Sequence, residues 1–169
     1  MYIPCPASGF HFSLSHTQDL AVIAWSRSTL VGIDVELYRD VAWNELARSA
    51  LTAAEFKHGQ SIPPKNQSRY FLECWTAKEA LLKGLGIGIA AGTNTVDLDL
   101  KSPQADARIH SFGASLSPWI VEKTKLQFPK ILDPKAWRLA SIPVGARHIG
   151  AIAVHASSIT LHQRSLDEL

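Results

Sequence analysis

The segment from residue 68 to residue 86 constrains the fold more than any other part of the chain. Apolar residues recur there every three or four positions, which predicts an α-helix with one buried stripe. The stripe contains Phe71, Cys74, Trp75, Leu81, Leu82 and Leu85. Gly84, Gly86 and Gly88 follow it, so we expect the helix to span residues 68–84. Such a helix must bury its stripe against a second layer of structure.

Strand-like segments supply the candidate second layer. Three of them, ending near residues 16, 25 and 37, are separated by short polar breaks, which predicts an antiparallel meander. Further strands are predicted over 95–100, 137–142 and 148–154, a helix over 43–50, a capping box at Thr52-Ala-Ala-Glu55 and an exposed loop over 58–68. We therefore expect an α+β fold, an antiparallel sheet packed against the long helix, in a single unit spanning residues 1–169.

Composition excludes several classes of protein. Hydrophobic residues make up 46% of the chain, enough for a real core, and the formal charge of +2 gives no reason to expect a nucleic-acid partner. No apolar run approaches the ~18 residues of a membrane span, and the N-terminus has no signal-peptide pattern. Cys5 and Cys74 are too few for a disulfide scaffold, so we expect reduced thiols and a cytoplasmic location.

Two carboxylates interrupt the strand TLVGIDVEL, residues 29–37. The strand period of two places Asp34 and Glu36 on the same side, about 6.6 Å apart along the strand. A shared cation would relieve their repulsion, and oxygen ligands without His or Cys nearby favour Mg²⁺. The alternative is a solvent-exposed face with two ordinary charges. Gly32 favours function, because a strand glycine often marks close approach of a ligand or another backbone.

The long helix carries a second interruption at Lys78, near the centre of its apolar stripe. A lysine in that place must extend to solvent, pair with an acid or meet a ligand anion, and we expect a negative group to approach it. Glu79 and Lys83 lie at the edge of the stripe, spaced i to i+4. They are either an ordinary surface ion pair or part of the same site.

The segment FSLSH, residues 12–16, is a third candidate. His16 continues the face of Phe12 and Leu14 to the end of the strand, where a histidine is more often structural than catalytic. With Ser13 and Ser15 beside it, the segment could also bind phosphate oxygens.

Taken in order, FSLSH (12–16), GIDVE (32–36) and WTAKEALLKG (75–84) resemble the signature of the 4'-phosphopantetheinyl transferase superfamily, in its larger branch. The resemblance spans about residues 10–90, and HIGAIAV (148–154) is similar to the family's last core strand. It implies a Mg²⁺-dependent enzyme that transfers the 4'-phosphopantetheine arm of coenzyme A to a serine of an acyl or peptidyl carrier protein. The other product is adenosine 3',5'-bisphosphate.

The resemblance also implies roles for individual residues. Asp34 and Glu36 match the family's metal-binding carboxylates. Glu79 matches the acidic residue of its Lys-Glu motif, which could complete the metal site or help to deprotonate the carrier serine, directly or through water. Asp34, Glu79 and Lys83 are the expected catalytic residues, with Lys83 stabilising the leaving phosphate. The expected coenzyme A-binding residues are Ser15, His16, Lys78 and Lys83.

The larger branch is built from two similar halves, and only eleven residues precede Phe12 here. Three explanations are open: a truncated or misannotated start, a short form that self-associates to complete the site, and a degenerate relative. The small branch of the superfamily works as trimers, and by analogy we expect that this chain can form a homo-oligomer. The alternative functions are a non-catalytic module that binds coenzyme A or a carrier protein and, ranked last, a Mg²⁺-dependent phosphohydrolase.

Overall fold

A computed structural model describes residues 9–99, 108–120, 125, 128 and 130–165. Cys5 and the last residue of the strand predicted over 95–100 lie outside the described residues. The strands are β1 (His11–Thr17), β2 (Leu20–Ser26), β3 (Val31–Leu37), β4 (Val96–Asp99), β5 (Arg108–Phe112), β6 (Arg138–Ile142) and β7 (His148–Val154). The helices are α1 (Trp43–Ala50), α2 (Ala53–Ser61) and α3 (Pro64–Gly84).

The predicted α+β class is confirmed, with antiparallel pairing in each sheet of the described residues. β1 pairs with β2, β4 pairs with β5, and β7 lies between β3 and β6. β5 was not predicted, because its sequence, RIHSF, lacks a regular apolar alternation and no residue of it is buried. No helix among these residues combines the length and apolar character needed to cross a bilayer.

The predicted meander of the first three strands is wrong. The backbone of β3 pairs with β7 on one edge, and on the other edge β1 contributes side chains instead of a backbone ladder. The Ser13 hydroxyl accepts a hydrogen bond from the N–H of Ile33 at 3.1 Å, and the Ser15 hydroxyl accepts one from Val35 at 3.2 Å. These hydroxyls satisfy two strand-edge donors that would otherwise be buried without a partner.

The predicted loop over residues 58–68 is also wrong. α2 continues to Ser61, and α3 begins at Pro64 rather than near residue 68. Proline at the first helical position costs little, because the first N–H groups of a helix have no partner within it. The paired prolines therefore separate two helices instead of marking a long loop. Upstream, the capping box is confirmed, since Thr52 and Glu55 exchange both of its hydrogen bonds.

Gly32 determines how closely α3 approaches β3. A Cβ atom at this position would overlap the carbonyl oxygen of Ala80 and the backbone of Gly84. Of the two interpretations of this glycine, the close approach of another backbone is therefore correct. Asp34, the next residue on the same face of β3, is also buried.

Candidate active site

Asp34 lies between β3 and α3 and is only 5% exposed. Its Oδ1 atom accepts a hydrogen bond from Ser15 Oγ at 2.8 Å and forms an ion pair with Lys83 Nζ at 2.7 Å. Its Oδ2 atom is buried and has no hydrogen-bond partner among the described residues. Burial raises the pKa of Asp34, and the nearby Lys83 opposes this shift. The solvent-exposed interpretation of this carboxylate is therefore wrong.

Glu79 faces the same region from α3, one helical turn before Lys83, and is 4% exposed. Its Oε1 atom is also buried without a hydrogen-bond partner in the part of the chain that the structure describes. Burial raises the pKa of Glu79 to about 7, the charge of Asp34 adds to the effect, and Lys83 opposes it. Lys83 pairs with Asp34, so the interpretation of Glu79 and Lys83 as a surface ion pair does not hold.

Glu36 stands at the more open end of this group. Its Oε1 atom accepts a hydrogen bond from the indole Nε1 of Trp75 at 3.2 Å, and its Oε2 atom pairs with the exposed Arg39 at 2.9 Å. The charge of Glu36 also contributes to the raised pKa of Glu79, so the two carboxylates are close enough to interact. The helical pattern of the sequence predicts Trp75 only as part of the apolar stripe, and no pattern in the sequence points to Arg39.

Asp34, Glu36 and Glu79 provide carboxylate oxygens, which are the ligands that a hard divalent cation prefers. No cluster of three or more His, Cys, Asp or Glu side chains in the described ranges is arranged as a finished metal site. However, Asp34 and Glu79 each have a buried carboxylate oxygen that lacks a hydrogen-bond partner among the described residues, and the charges of the two side chains interact, which fits an oxygen-coordinated ion. Lys83 pairs with the other oxygen of Asp34, Oδ1, and Arg39 pairs with Oε2 of Glu36, so both side chains would compete with the ion or move aside.

The structure does not bring Lys78 to these residues. Its amine is fully buried and pairs with Glu55 Oε2 at 2.5 Å, and it also donates to the carbonyl of Ala50 at 3.2 Å. Glu55 accepts further hydrogen bonds from the N–H groups of Thr52 and Leu98. The negative group expected near Lys78 is thus an internal glutamate. Because the amine has no exposed surface, the expected coenzyme A-binding role of Lys78 does not fit the structure.

The two residues at the end of β1 face opposite sides of the strand. Ser15 points inward and is 6% exposed, and its hydroxyl connects Asp34 with the N–H of Val35. His16 points outward and is exposed, on the same face as Leu14. A nucleotide could reach the His16 imidazole from solvent, whereas the Ser15 hydroxyl is already engaged inside the protein.

Comparison with known proteins gives consistent matches. The family model for the 4'-phosphopantetheinyl transferase superfamily matches residues 30–142, more than half of the chain. The 4'-phosphopantetheinyl transferase HetI of Nostoc sp. is 39% identical over 84 residues, covering 49% of this chain and 35% of HetI. The 4'-phosphopantetheinyl transferase AcpT of Escherichia coli (strain K12) is 33% identical over 82 residues, covering 48% of this chain and 42% of AcpT.

A 4'-phosphopantetheinyl transferase of Bacillus subtilis is 29% identical over 100 residues, covering 59% of this chain and 43% of the relative. The chain therefore spans less than half the length of each of these three relatives. The family match contains β3 and α3, and so all of Asp34, Glu36, Glu79 and Lys83, but it begins after Ser15 and His16.

Proposed function

Because the chain belongs to the 4'-phosphopantetheinyl transferase superfamily, we propose that it transfers the 4'-phosphopantetheine arm of coenzyme A to a serine of an acyl or peptidyl carrier protein. One observation carries this proposal. Asp34 and Glu79 reach one region from two elements, each with a buried oxygen that lacks a partner among the described residues, and Lys83 lies beside them. Such a region can hold a divalent cation and a phosphorylated ligand together.

Asp34, Glu36 and Glu79 would hold the Mg²⁺ cofactor of this reaction. This assignment is supported by the two buried oxygens of Asp34 and Glu79 for which the described part of the chain offers no partner, and by the neighbouring Glu36, which pairs with the exposed Arg39. The bound ion would supply charge neutralisation at the diphosphate of coenzyme A and polarise the phosphate under attack. Most of the remaining catalysis of a phosphoryl transfer is positioning and electrostatic stabilisation by the protein.

Lys83 and Glu79 would act on the reacting groups. The hydroxyl of the carrier serine forms a bond to the phosphorus that carries the pantetheine arm, and the bond from that phosphorus to the bridging oxygen breaks. Adenosine 3',5'-bisphosphate leaves with this oxygen, and Lys83 stabilises its new charge. Glu79 accepts the serine proton, directly or through water, where it is not itself a metal ligand. A carboxyl with a pKa of about 7 suits this role near neutral pH.

His16 and Lys83 are the proposed contacts of the nucleotide. His16 is exposed at the end of β1, and the Lys83 side chain is 20% exposed. Both positively charged and neutral imidazole can donate a hydrogen bond to a phosphate oxygen. Lys78 is not included, because its amine is enclosed by Glu55 and Ala50.

We also propose that the chain is one structural unit that acts in the cytoplasm and associates with another copy of itself. The outer face of the β1–β2 hairpin supports association, since Trp25 is 59% exposed and Ile23 66% exposed. These side chains lie opposite Phe12 and Leu14 in the register of the two strands and form an apolar surface. Exposed apolar surfaces of this kind often mark protein contacts. Size-exclusion chromatography with light scattering would measure the mass of the particle.

The decisive experiment incubates the pure protein with Mg²⁺, coenzyme A and a panel of apo carrier proteins. Intact mass spectrometry should detect one added phosphopantetheinyl group on at least one carrier. Asp34→Ala should abolish the transfer, and Asp40→Ala, which removes an exposed aspartate just after β3, is the matched control. Coenzyme A binding without transfer to any carrier would instead identify a non-catalytic binding module.

A further inference from the structure

We infer that Ser15 is a positioning residue for Asp34 and does not bind the nucleotide. This inference rests on the proposed function, because it concerns how the protein prepares Asp34 to hold a cation. It departs from the role that the sequence motif implies for this serine. The inference comes from the direction of the hydroxyl proton and from the burial of the side chain.

A serine hydroxyl has one proton to donate and can accept up to two hydrogen bonds. In Ser15 the N–H of Val35 occupies an acceptor position at 3.2 Å, so the proton is directed to Asp34 Oδ1 at 2.8 Å. The side chain is 6% exposed, between β1 and β3. A phosphate oxygen requires a donor, and Ser15 could supply one only by leaving Asp34.

The contact with Ser15 determines which oxygen of Asp34 is available. Oδ1 is shared by two donors, Ser15 and Lys83, whereas Oδ2 has no partner among the described residues. A carboxylate with one anchored oxygen cannot rotate freely, so the contact with Ser15 keeps Oδ2 in its buried position, free of other hydrogen bonds within the described residues. Residues of this kind orient a metal ligand without touching the metal. Their substitution typically weakens metal binding by roughly 10- to 100-fold.

The chain offers a matched control in Ser13. It lies two residues earlier on the same inward face of β1, is 3% exposed, and accepts a hydrogen bond from the N–H of Ile33 at 3.1 Å. Ser13 and Ser15 thus make the same contact with the edge of β3. They differ in the second contact, since only Ser15 is seen to donate to a carboxylate in the described structure.

The test compares Ser15→Ala, Ser13→Ala and the wild-type protein by isothermal titration calorimetry with two probes. The first probe is Mn²⁺ alone, which takes the same oxygen ligands as Mg²⁺. The second is adenosine 3',5'-bisphosphate in the presence of EDTA. We expect Ser15→Ala to weaken Mn²⁺ binding by roughly 10- to 100-fold. Ser13→Ala should keep the wild-type affinity, and neither variant should change nucleotide binding.

Thermal unfolding followed by circular dichroism separates positioning from stability. Ser13→Ala removes one hydrogen bond to β3, and Ser15→Ala removes two, one from the Val35 N–H and one to Asp34. Both variants should lose some stability, Ser15→Ala more than Ser13→Ala, and only Ser15→Ala should lose Mn²⁺ affinity. If Ser15→Ala does not fold, Ser15→Cys retains the size of the side chain with a weaker donor and should show an intermediate loss.

The outcomes distinguish the inference from the function on which it rests. Wild-type Mn²⁺ affinity in Ser15→Ala, or in Ser15→Cys where that variant is needed, would overturn the positioning role. A Ser15→Ala protein that binds adenosine 3',5'-bisphosphate more weakly than the wild type in EDTA would also overturn it, because the Ser15 hydroxyl would then contact the phosphate. A wild-type protein that binds no Mn²⁺ would overturn the proposed metal site itself.

Discussion

Replacing Lys78 with methionine should destabilise the protein strongly and leave ligand binding intact. The Lys78 amine and the Glu55 carboxylate are 2.5 Å apart, with 0% and 1% of their side chains exposed. Methionine fills most of the volume of lysine but removes the positive charge. Glu55 then remains buried, and its partners among the described residues are the N–H groups of Thr52 and Leu98. Removing one partner of a buried ion pair costs about 3–5 kcal/mol. We therefore expect Lys78→Met to lower the free energy of unfolding by about 4 kcal/mol.

Urea denaturation measures this loss, and the surface pair on the same helix provides the control. Arg69 and Glu73 are 2.9 Å apart, and the Arg69 side chain is 52% exposed. Because exposed ion pairs contribute little, Arg69→Met should cost less than about 1 kcal/mol. The double variant Lys78→Met/Glu55→Gln leaves no buried charge, but the glutamine NH₂ would face the N–H of Thr52 or Leu98, so we expect it to recover only about 1 kcal/mol of the loss.

Two results would refute this reasoning. A Lys78→Met protein within about 1 kcal/mol of the wild type would mean that the pair contributes no more than a surface contact. A variant that is stable but has lost affinity for adenosine 3',5'-bisphosphate would return Lys78 to the ligand-binding role that the sequence motif implies. The double variant distinguishes a charge effect from a packing effect, since only the former is relieved by glutamine.

Three further predictions follow from the site. Gly32→Ala should lower the free energy of unfolding, measured by urea denaturation, by at least about 2 kcal/mol, because the added methyl group overlaps the backbone of α3. An unchanged free energy of unfolding would contradict the close approach of the two backbones. Trp75→Phe removes the indole N–H from Glu36 and should weaken Mn²⁺ binding by about tenfold in calorimetry, and unchanged affinity would exclude its positioning role. Mn²⁺ affinity should rise with pH through about 7, since Glu79 must lose its proton to bind a cation, and Glu79→Gln should flatten this dependence.

The sequence predicted the elements of the site better than their connections. The strand period placed Asp34 and Gly32 on one face of β3, and the glycine indicated a close approach that the backbone of α3 makes. Local patterns also gave the capping box at Thr52 and the end of α3 near Gly84. These features depend on residues a few positions apart, which is the range over which periodicity and capping carry information.

Pairing over long separations could not be predicted in the same way. β3 pairs with β7, more than a hundred residues later, although β2 is nearer in sequence. The partner of Lys78 lies 23 residues away, and the capping box had already assigned Glu55 a local role. A side chain that caps a helix and also neutralises a buried lysine serves two functions, and the local pattern revealed only one of them.

Adjacent residues on α3 also divide two tasks between them. Successive residues of an α-helix point about 100° apart, so Lys78 and Glu79 cannot face the same side. Lys78 faces Glu55 and the end of α1, and Glu79 faces Asp34 and β3. The ion pair restrains rotation of α3 about its axis, and any rotation that turned Glu79 away from Asp34 would also break the buried pair. The motif can therefore require a lysine at position 78 without the lysine ever touching a ligand.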